Sequence, residues 1–283
     1  MNKFNPRAMF VVAKKEFLDH IRNKWILFLT IIFVLLIILF SYAAGSFSFS
    51  EDTFANMQIT VFGLMGTTSW LILLIAIMLG FSTISGEAES GALNIVLSYP
   101  VRRVEVLLGK LLGLGSVLIV SIFIGFGIGG VIIALTVGPE SWIGYIAFIF
   151  LSIFLGFIYL SLSICISSFC KKRITSIAGG ILIFFWSWIY EPIIVIILFV
   201  TGGSEDFLSG NTLELYINSK VFNPSALYDT TVRRAFGIDV VDTIGGSAPY
   251  PDFLSTINLI IFHIIWVIVP MVLAYYFFKK RDI

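Results

Sequence analysis

The chain has 283 residues, of which 58% are hydrophobic and 12% are charged, whereas soluble domains have about 45–50% and about 25%. Its formal net charge is only +1, and no nucleic-acid partner is expected. This composition excludes a water-soluble domain of any size and predicts a polytopic membrane protein.

Residues 1–24 are predicted to form a cytoplasmic elbow helix that lies in the membrane interface. Its apolar face carries Phe10, Ala13, Phe17 and Ile21. A plain basic anchor, without a defined helix, is the alternative. The segment is too polar for a cleavable signal sequence, so the span that follows is expected to stay in the mature protein.

Six apolar runs approach or exceed the ~20 residues that a membrane-crossing helix needs. These predicted spans are Trp25–Ala44, Thr67–Ser85, Leu111–Val137, Trp142–Phe169, Ile174–Tyr190 and Phe253–Phe278. The predicted fold class is therefore all-α, with residues 1–283 forming one transmembrane domain of six helices.

Residues 86–110, the coupling region, interrupt the apolar sequence between spans 2 and 3. Six charged residues lie here, yet Leu93, Val96 and Leu97 still recur at helical spacing. We expect two helices separated at Pro100, because the residue before a proline is disfavoured in helical conformation. An amphipathic helix between two spans favours a docking surface for another protein, and an ordinary surface loop is the alternative.

Span 5 is followed directly by Glu191 and Pro192. Because a helix over Arg173–Tyr190 already crosses most of a ~30 Å hydrocarbon core, we expect a break at Pro192. The apolar run that follows would then re-enter the membrane or lie along its outer interface. Glu191 would lie either at the wet interface or in a functional position inside the membrane.

Residues 191–252 are predicted to form an extracellular or re-entrant region between spans 5 and 6. Asn223 suits a helix N-cap, Pro224 the first helical position, and Gly237 the C-terminal end. The later stretch, DTIGGSAPYPDF, is expected to be a turn-rich loop.

Span 4 carries small and hydroxylated residues on one face, among them Ser152, Tyr159 and Ser163. Span 3 contains Gly109-x-x-x-Gly113 and Gly125-x-x-x-Gly129. Such residues let helices approach closely. Helix packing and the lining of a substrate path both remain open, and the candidates for a pathway or gate are Ser152, Tyr159, Ser163 and Glu191.

The distribution of basic residues predicts the orientation of the chain. Fifteen of the 18 Lys and Arg residues fall on one side of the predicted spans: Lys3, Arg7, Lys14, Lys15, Arg22, Lys24, Arg102, Arg103, Lys110, Lys171, Lys172, Arg173, Lys279, Lys280 and Arg281. Both termini and the coupling region are therefore expected in the cytoplasm of a cell (plasma or inner) membrane protein.

Catalytic and metal-binding patterns are not found. Gly86-x-x-x-x-Gly91 resembles a phosphate-binding loop, but Ala92 and Leu93 replace the Lys and Ser/Thr that such a loop needs. His263, inside span 6, could relay protons, although a hydrogen bond to a neighbouring helix is the favoured interpretation. We predict no catalytic residue and no metal ligand on this chain.

Four segments of the sequence resemble the type-2 ABC exporter permeases, in the branch that includes the permease of the nitrous-oxide-reductase maturation transporter. They are AKKEFLDHIRNKW, GEAESGALNIVLSYPVRRVEVLLGK, FNPSALY and FFKKRDI. The resemblance covers nearly the whole chain, and the second segment is the most specific. Ala88 and Ala92 depart from the family, which often has Arg and Thr there.

The resemblance implies a permease subunit of an ABC exporter, with the helix that follows Glu87 coupling it to a separate ATPase subunit. ATP and Mg²⁺ would bind to that ATPase, and a second permease copy would complete the pathway. Outer re-entrant helices between the last two spans are also implied. The residues predicted to dock the ATPase are Glu87, Glu89, Leu93, Arg102 and Arg103.

Two functions from other classes remain as alternatives. One is an integral membrane enzyme that processes lipids or peptides, which would need polar residues converging at one membrane depth. The other is a non-transporting membrane scaffold for a cytoplasmic partner.

Overall fold

The computed structural model describes residues 4–46, 57–136, 138, 141–208, 211–243 and 246–281, so Lys3 and the predicted end of span 3 at Val137 lie outside the described residues. The helices are α1 (Pro6–Ile21), α2 (Lys24–Ser46), α3 (Met57–Gly80), α4 (Ser85–Glu89), α5 (Ala92–Ser98), α6 (Arg103–Thr136), α7 (Trp142–Phe169), α8 (Arg173–Leu208), α9 (Asn211–Ser219), α10 (Pro224–Ala235) and α11 (Thr256–Lys280). Short 3₁₀ turns cover Lys220–Phe222 and Asp252–Leu254.

A β-hairpin stands where the sequence predicted only a turn-rich loop. Strands β1 (Val240–Thr243) and β2 (Gly246–Pro249) pair antiparallel, with Val240 opposite Pro249 and Thr243 opposite Gly246. This hairpin is the one non-helical element among the described residues. The predicted all-α polytopic class is confirmed.

Five helical segments within the described ranges are long and apolar enough to cross a membrane. They are Met57–Glu89, Arg103–Thr136, Trp142–Phe169, Arg173–Thr201 and Thr256–Lys280. The first predicted span corresponds to a shorter apolar helix, Leu27–Ala43, within α2. The predicted bounds of span 4 coincide with those of α7.

Neighbouring helices pack closely against two glycine pairs on α6. A Cβ added to Gly113 would lie 2.5 Å from the carbonyl oxygen of Ala13, so α1 packs directly on the α6 backbone. A Cβ added to Gly129 would lie 2.9 Å from the Ser41 hydroxyl of α2. Both Gly-x-x-x-Gly motifs of span 3 thus serve packing within this chain, where the absence of side chains permits close approach.

Asn5 and Arg281, near the two ends of the described chain, lie at the same end of the helix bundle, named here the basic end. The backbone N–H of Asn5, before α1, donates to Glu105 of α6 at 2.6 Å. The guanidinium of Arg281, after α11, donates to the carbonyl of Lys171 at 3.0 Å. The basic end therefore comprises α1, α4, α5, the start of α6, the α7–α8 connection and the end of α11.

The predicted helix break at Pro192 is wrong, because α8 continues through it from Arg173 to Leu208. Proline removes one backbone donor, and its ring disfavours the helix interior, but a single missing hydrogen bond is tolerated in apolar helices whose other bonds are kept. The apolar run after Pro192 is accordingly part of a long helix and does not form a separate re-entrant segment.

The part of residues 191–252 that folds back into the bundle is α9, the first 3₁₀ turn and α10. The indole N–H of Trp266, near the middle of α11, donates to the carbonyl of Val221 at 2.8 Å. Asn223 caps α10, as predicted, by accepting a hydrogen bond from the N–H of Ser225 at 3.0 Å. The N-terminal end of α10 is thus inserted between the long helices.

Candidate functional site

The coupling region consists of two short helices followed by the start of α6. The sequence predicted one helix from Gly86 to Tyr99, but Gly91 adopts a left-handed conformation, with φ of 76°, and separates α4 from α5. Glycine commonly ends a helix in this way. The second break falls at Pro100 as expected, with Tyr99 extended before it.

Four charged side chains, the charge cluster, join this region to α1 and α6: Lys15, Glu16, Glu87 and Lys110. The Lys110 ammonium lies 2.8 Å from Glu16 Oε1 and 2.8 Å from Glu87 Oε1. Lys15 lies 3.4 Å from Glu16 and 3.5 Å from Glu87. Each lysine therefore bridges the same two carboxylates, which belong to different helices.

Two members of the charge cluster, Lys110 and Glu16, are withdrawn from solvent, whereas the Lys15 side chain is 51% exposed. Only 1% of Lys110 and 3% of Glu16 is exposed. Burial opposes ionisation of Glu16, but the charge and hydrogen bond of Lys110 outweigh it and lower the pKa of that carboxyl below its ordinary value. Burial likewise opposes the charge on Lys15, and the carboxylates of Glu16 and Glu87 outweigh it and raise the pKa of the Lys15 ammonium.

Glu89 and Arg103, both predicted to dock a partner, form hydrogen bonds with backbone groups at the ends of other helices. Glu89 accepts a hydrogen bond from the backbone N–H of Arg173, the first residue of α8, at 2.8 Å. Arg103 donates to three carbonyls at the end of α11, those of Phe278, Lys279 and Arg281. A helix N-terminus attracts carboxylates and a C-terminus attracts cations, so both contacts follow the polarity of the helices.

Arg102 takes part in this region through a hydrogen bond of its backbone N–H. Its N–H donates to Glu105 Oε2 at 2.9 Å, and the other oxygen of the same carboxylate accepts from Asn5. This carboxylate therefore joins the chain before α1 to the first turn of α6.

Leu93 requires a correction, because its side chain is fully buried and belongs to the bundle core. It cannot offer a contact surface to another protein in this structure. The outward face of α5 instead presents Ile95, which is 66% exposed, and Tyr99 just after the helix, which is 65% exposed. They lie four residues apart, with Ile95 inside α5 and Tyr99 at its C-cap.

An open groove of about 720 Å³ lies beside α4, between that helix and the start of α8. Glu87 and Glu89 line it together with Arg173. The second oxygen of Glu87, Oε2, is buried and has no hydrogen-bond partner among the described residues. A carboxylate oxygen in this state keeps an unused capacity to accept a hydrogen bond.

The three span-4 candidates for a pathway, Ser152, Tyr159 and Ser163, are fully buried within the bundle. The Tyr159 hydroxyl lies 2.6 Å from the Ser225 hydroxyl and 2.7 Å from that of Ser187.

The remaining two candidates also bond within the chain. The Ser152 hydroxyl lies 2.9 Å from that of Tyr228, and Ser163 donates to the carbonyl of Ile77 at 3.2 Å. Among the described residues these hydroxyls hold α10, α8 and α3 against α7.

Glu191 is half-buried on α8, between Tyr190 and Pro192. The neighbouring Tyr190 hydroxyl donates to the carbonyl of Ser219 at 2.8 Å, which holds α9 alongside α8. The structure places Glu191 away from the charge cluster and on a helix that is largely exposed.

The sequence did not identify Glu16, Lys15 and Lys110 as members of the site. Their separation, 94 residues between Glu16 and Lys110, hides the pairing from any local pattern. The available signal was Glu16 itself, a carboxylate three residues from Ala13 on the face that α1 buries.

Comparison with known proteins shows the family of the chain. The sequence model described as ABC-2 family transporter protein matches residues 10–283. The chain is 30% identical over 284 residues to a probable ABC transporter permease protein NosY of Pseudomonas aeruginosa, covering 98% of this chain and 99% of the relative. It is 28% identical over 279 residues to the protein of the same description from Stutzerimonas stutzeri, covering 95% and 97%.

Proposed function

The chain belongs to the ABC-2 family of transporter proteins, as the sequence resemblance predicted, and we propose that it couples a separate ATPase subunit to outward transport through its region 86–110. It is a transmembrane permease of an ABC transporter and not an enzyme, because its relatives are transport subunits whose ATPase is a separate chain.

The basic end would face the cytoplasm in this proposal. Lys and Arg are enriched in cytoplasmic segments, and the charge cluster, Arg103 and Arg281 all belong to this end of the bundle. Because both ends of the described chain lie here, an even number of membrane crossings is part of the proposal. We therefore propose that α2 supplies a sixth crossing beside the five longer apolar helices.

The outward face of the coupling region is the proposed docking surface. Exposed Ile95 and Tyr99 provide an apolar and aromatic contact, and interface cores are enriched in such residues. The open groove beside α4, lined by Glu87 and Glu89, would receive a basic side chain of the ATPase. Glu89, Arg102 and Arg103 would act indirectly, by fixing this surface to the bundle.

One observation carries the proposal: the coupling region is joined by charged groups to four helices at once. Glu87 bonds to α1 and α6 through Lys15 and Lys110, Glu89 caps α8, and Arg103 holds α11. A displacement of α4 and α5 by the ATPase would therefore act directly on α1, α6 and α8, and on α11 through Arg103 of α6. Such shifts of packed elements are a common means of switching between states.

A second permease copy would pack against α8. Only 6% of the most apolar stretch of α8 is buried in the described chain, compared with 28–50% in the other four long segments. The face of α8 also carries Glu191, so a pathway between two copies would include this carboxylate. Intramembrane carboxylates are costly and mark functional positions.

Co-purification with the ATPase tests the docking proposal. The Ile95→Asp variant places a charge at the centre of the proposed surface and is expected to lose most of the bound ATPase. Leu215→Asp is the matched control, because Leu215 is 62% exposed on α9, away from the basic end. Full ATPase binding by Ile95→Asp, with the protein intact, would remove the docking proposal.

A further inference from the structure

A second cavity, the lateral groove, lies on the lipid-facing side of the bundle between α7, α10 and α11. Its volume is about 390 Å³, near the lower end of the range of about 300–1,000 Å³ for ligand pockets. The walls are apolar and include Phe150, Leu151 and Phe154 from α7 and Ile260 from α11. Phe150 is 58% exposed, so the groove opens toward the bilayer.

The floor of the lateral groove contains one polar ring, His263, which is only 2% exposed. His263 Nδ1 lies 2.8 Å from the carbonyl of Leu259, which only accepts, so Nδ1 carries the proton. In the neutral ring Nε2 is then an acceptor. It has no hydrogen-bond partner within the ranges that the structure describes.

The rim of the lateral groove contains a cation, Arg234, in the last turn of α10. One terminal nitrogen of its guanidinium lies 3.5 Å from Asp239, whose side chain is 78% exposed. The Nε atom is buried and lacks an acceptor among the described residues. An anionic group placed here would satisfy that donor and pair with the guanidinium.

The order of these groups defines one kind of ligand. Arg234, whose side chain is 21% exposed, lies nearer the opening than His263, which is 2% exposed. A ligand would thus meet a cation first, then a hydrogen-bond acceptor, with apolar walls throughout. The two unsatisfied atoms, a donor at the rim and an acceptor at the floor, each require a complementary group.

We propose that the lateral groove binds a single-chain anionic amphiphile of the lysophospholipid type. Its phosphate would contact Arg234, its hydroxyl would donate to His263 Nε2, and its hydrocarbon chain would lie along Phe150 and Phe154. The volume suits one chain better than two. This site is separate from the coupling region, so its existence does not depend on the docking proposal.

Binding of two matched lipids to the purified full-length permease tests the assignment. Monopalmitoyl glycerol phosphate has a hydroxyl beside its phosphate, and hexadecyl phosphate has a chain of the same length and a phosphate without that hydroxyl. The wild-type protein is expected to bind the former about 3- to 10-fold more tightly, the contribution of one net hydrogen bond. Native mass spectrometry or a titration in detergent measures the ratio.

Three variants assign the contacts. His263→Phe keeps a ring of similar shape and is expected to bind the two lipids equally. Arg234→Gln is expected to weaken both lipids about tenfold. Arg233→Gln is the matched control, because Arg233 bonds to Asp229 at 2.9 Å and does not line the groove. It should leave both affinities unchanged.

Equal binding of both lipids by the wild-type protein would overturn the proposal without reference to any variant. So would a preserved preference for the hydroxyl-bearing lipid in His263→Phe, or an equal loss of binding in Arg233→Gln and Arg234→Gln. Loss of ATPase binding would have no bearing on these measurements, since the two sites share no residue.

Discussion

The ammonium nitrogen of Lys110 lies 2.8 Å from a carboxylate oxygen of Glu87, and the same nitrogen lies 2.8 Å from Glu16. One buried cation on α6 thereby joins the coupling region to the N-terminal helix. Two charges withdrawn from water in this way are stable only when each is compensated. The pairing predicts how the basic end responds when a member is removed.

Lys110→Met is expected to destabilise the protein by about 3–5 kcal/mol, the typical cost of leaving a buried charge without its partner. The carboxylate of Glu16, only 3% exposed, would lose its closest cation. The unfolding midpoint of the purified permease measures the change. Lys14→Met, at an exposed position of α1, serves as the control and should shift stability by no more than about 0.5 kcal/mol.

Stability is expected to fall in acid through Glu16. Its pKa is lower in the folded protein than its ordinary value of 4.5, so its stabilising contribution is present above pH 4.5 and is lost as the pH falls through the folded value. Unfolding midpoints measured from pH 7 to below pH 4 test this. Glu16→Gln should have a flatter profile in that window, and an identical slope in both proteins would contradict the assignment.

Gly113→Ala is expected to displace α1 from α6 and to cost about 1–3 kcal/mol, the usual range for overpacking. The added Cβ would meet the backbone oxygen of Ala13 at 2.5 Å, which cannot move without the helix. Gly127→Ala, on the same helix, is the control, since no described atom lies within 4 Å of its added Cβ. That change should stabilise the helix by about 0.5–1 kcal/mol.

Tyr159→Phe is expected to loosen α10. The change removes the hydroxyl that contacts both Ser187 and Ser225, and it leaves those buried groups short of a partner at a cost of about 1–3 kcal/mol. Limited proteolysis of α9 and α10 should become faster. Tyr42→Phe, at a position that is 60% exposed, is the control. Unchanged proteolysis of Tyr159→Phe would contradict a structural role for these hydroxyls.

Much of the fold could be predicted from hydropathy, because a helix that crosses lipid must be apolar over a fixed length. The bounds of α7 agree with the predicted span at both residues. The prediction of a helix break at Pro192 was wrong because the loss of one backbone hydrogen bond does not end an otherwise intact helix. The position of α10 inside the bundle depends on long-range bonds such as that of Trp266 to Val221.

The position of the candidate site along the chain was predicted more accurately than the individual residues that form it. Local charge and proline placement located residues 86–110, but which side chains face outward depends on the packing of α5. Leu93 is buried and Ile95 is exposed, although both are apolar residues of the same short helix. Glu87 and Lys110 both lie in the predicted region 86–110, whereas their partner Glu16 comes from α1.

The most direct test of the coupling account is a photo-crosslinking amino acid placed at Ile95 in the assembled transporter, with the same substitution at Leu215 as the control. Both positions are more than 60% exposed, and only the first lies on the proposed docking surface. The account predicts a crosslink between position 95 and the ATPase subunit and none from position 215. Absence of the crosslink at position 95 in an assembled, ATP-hydrolysing complex would contradict it.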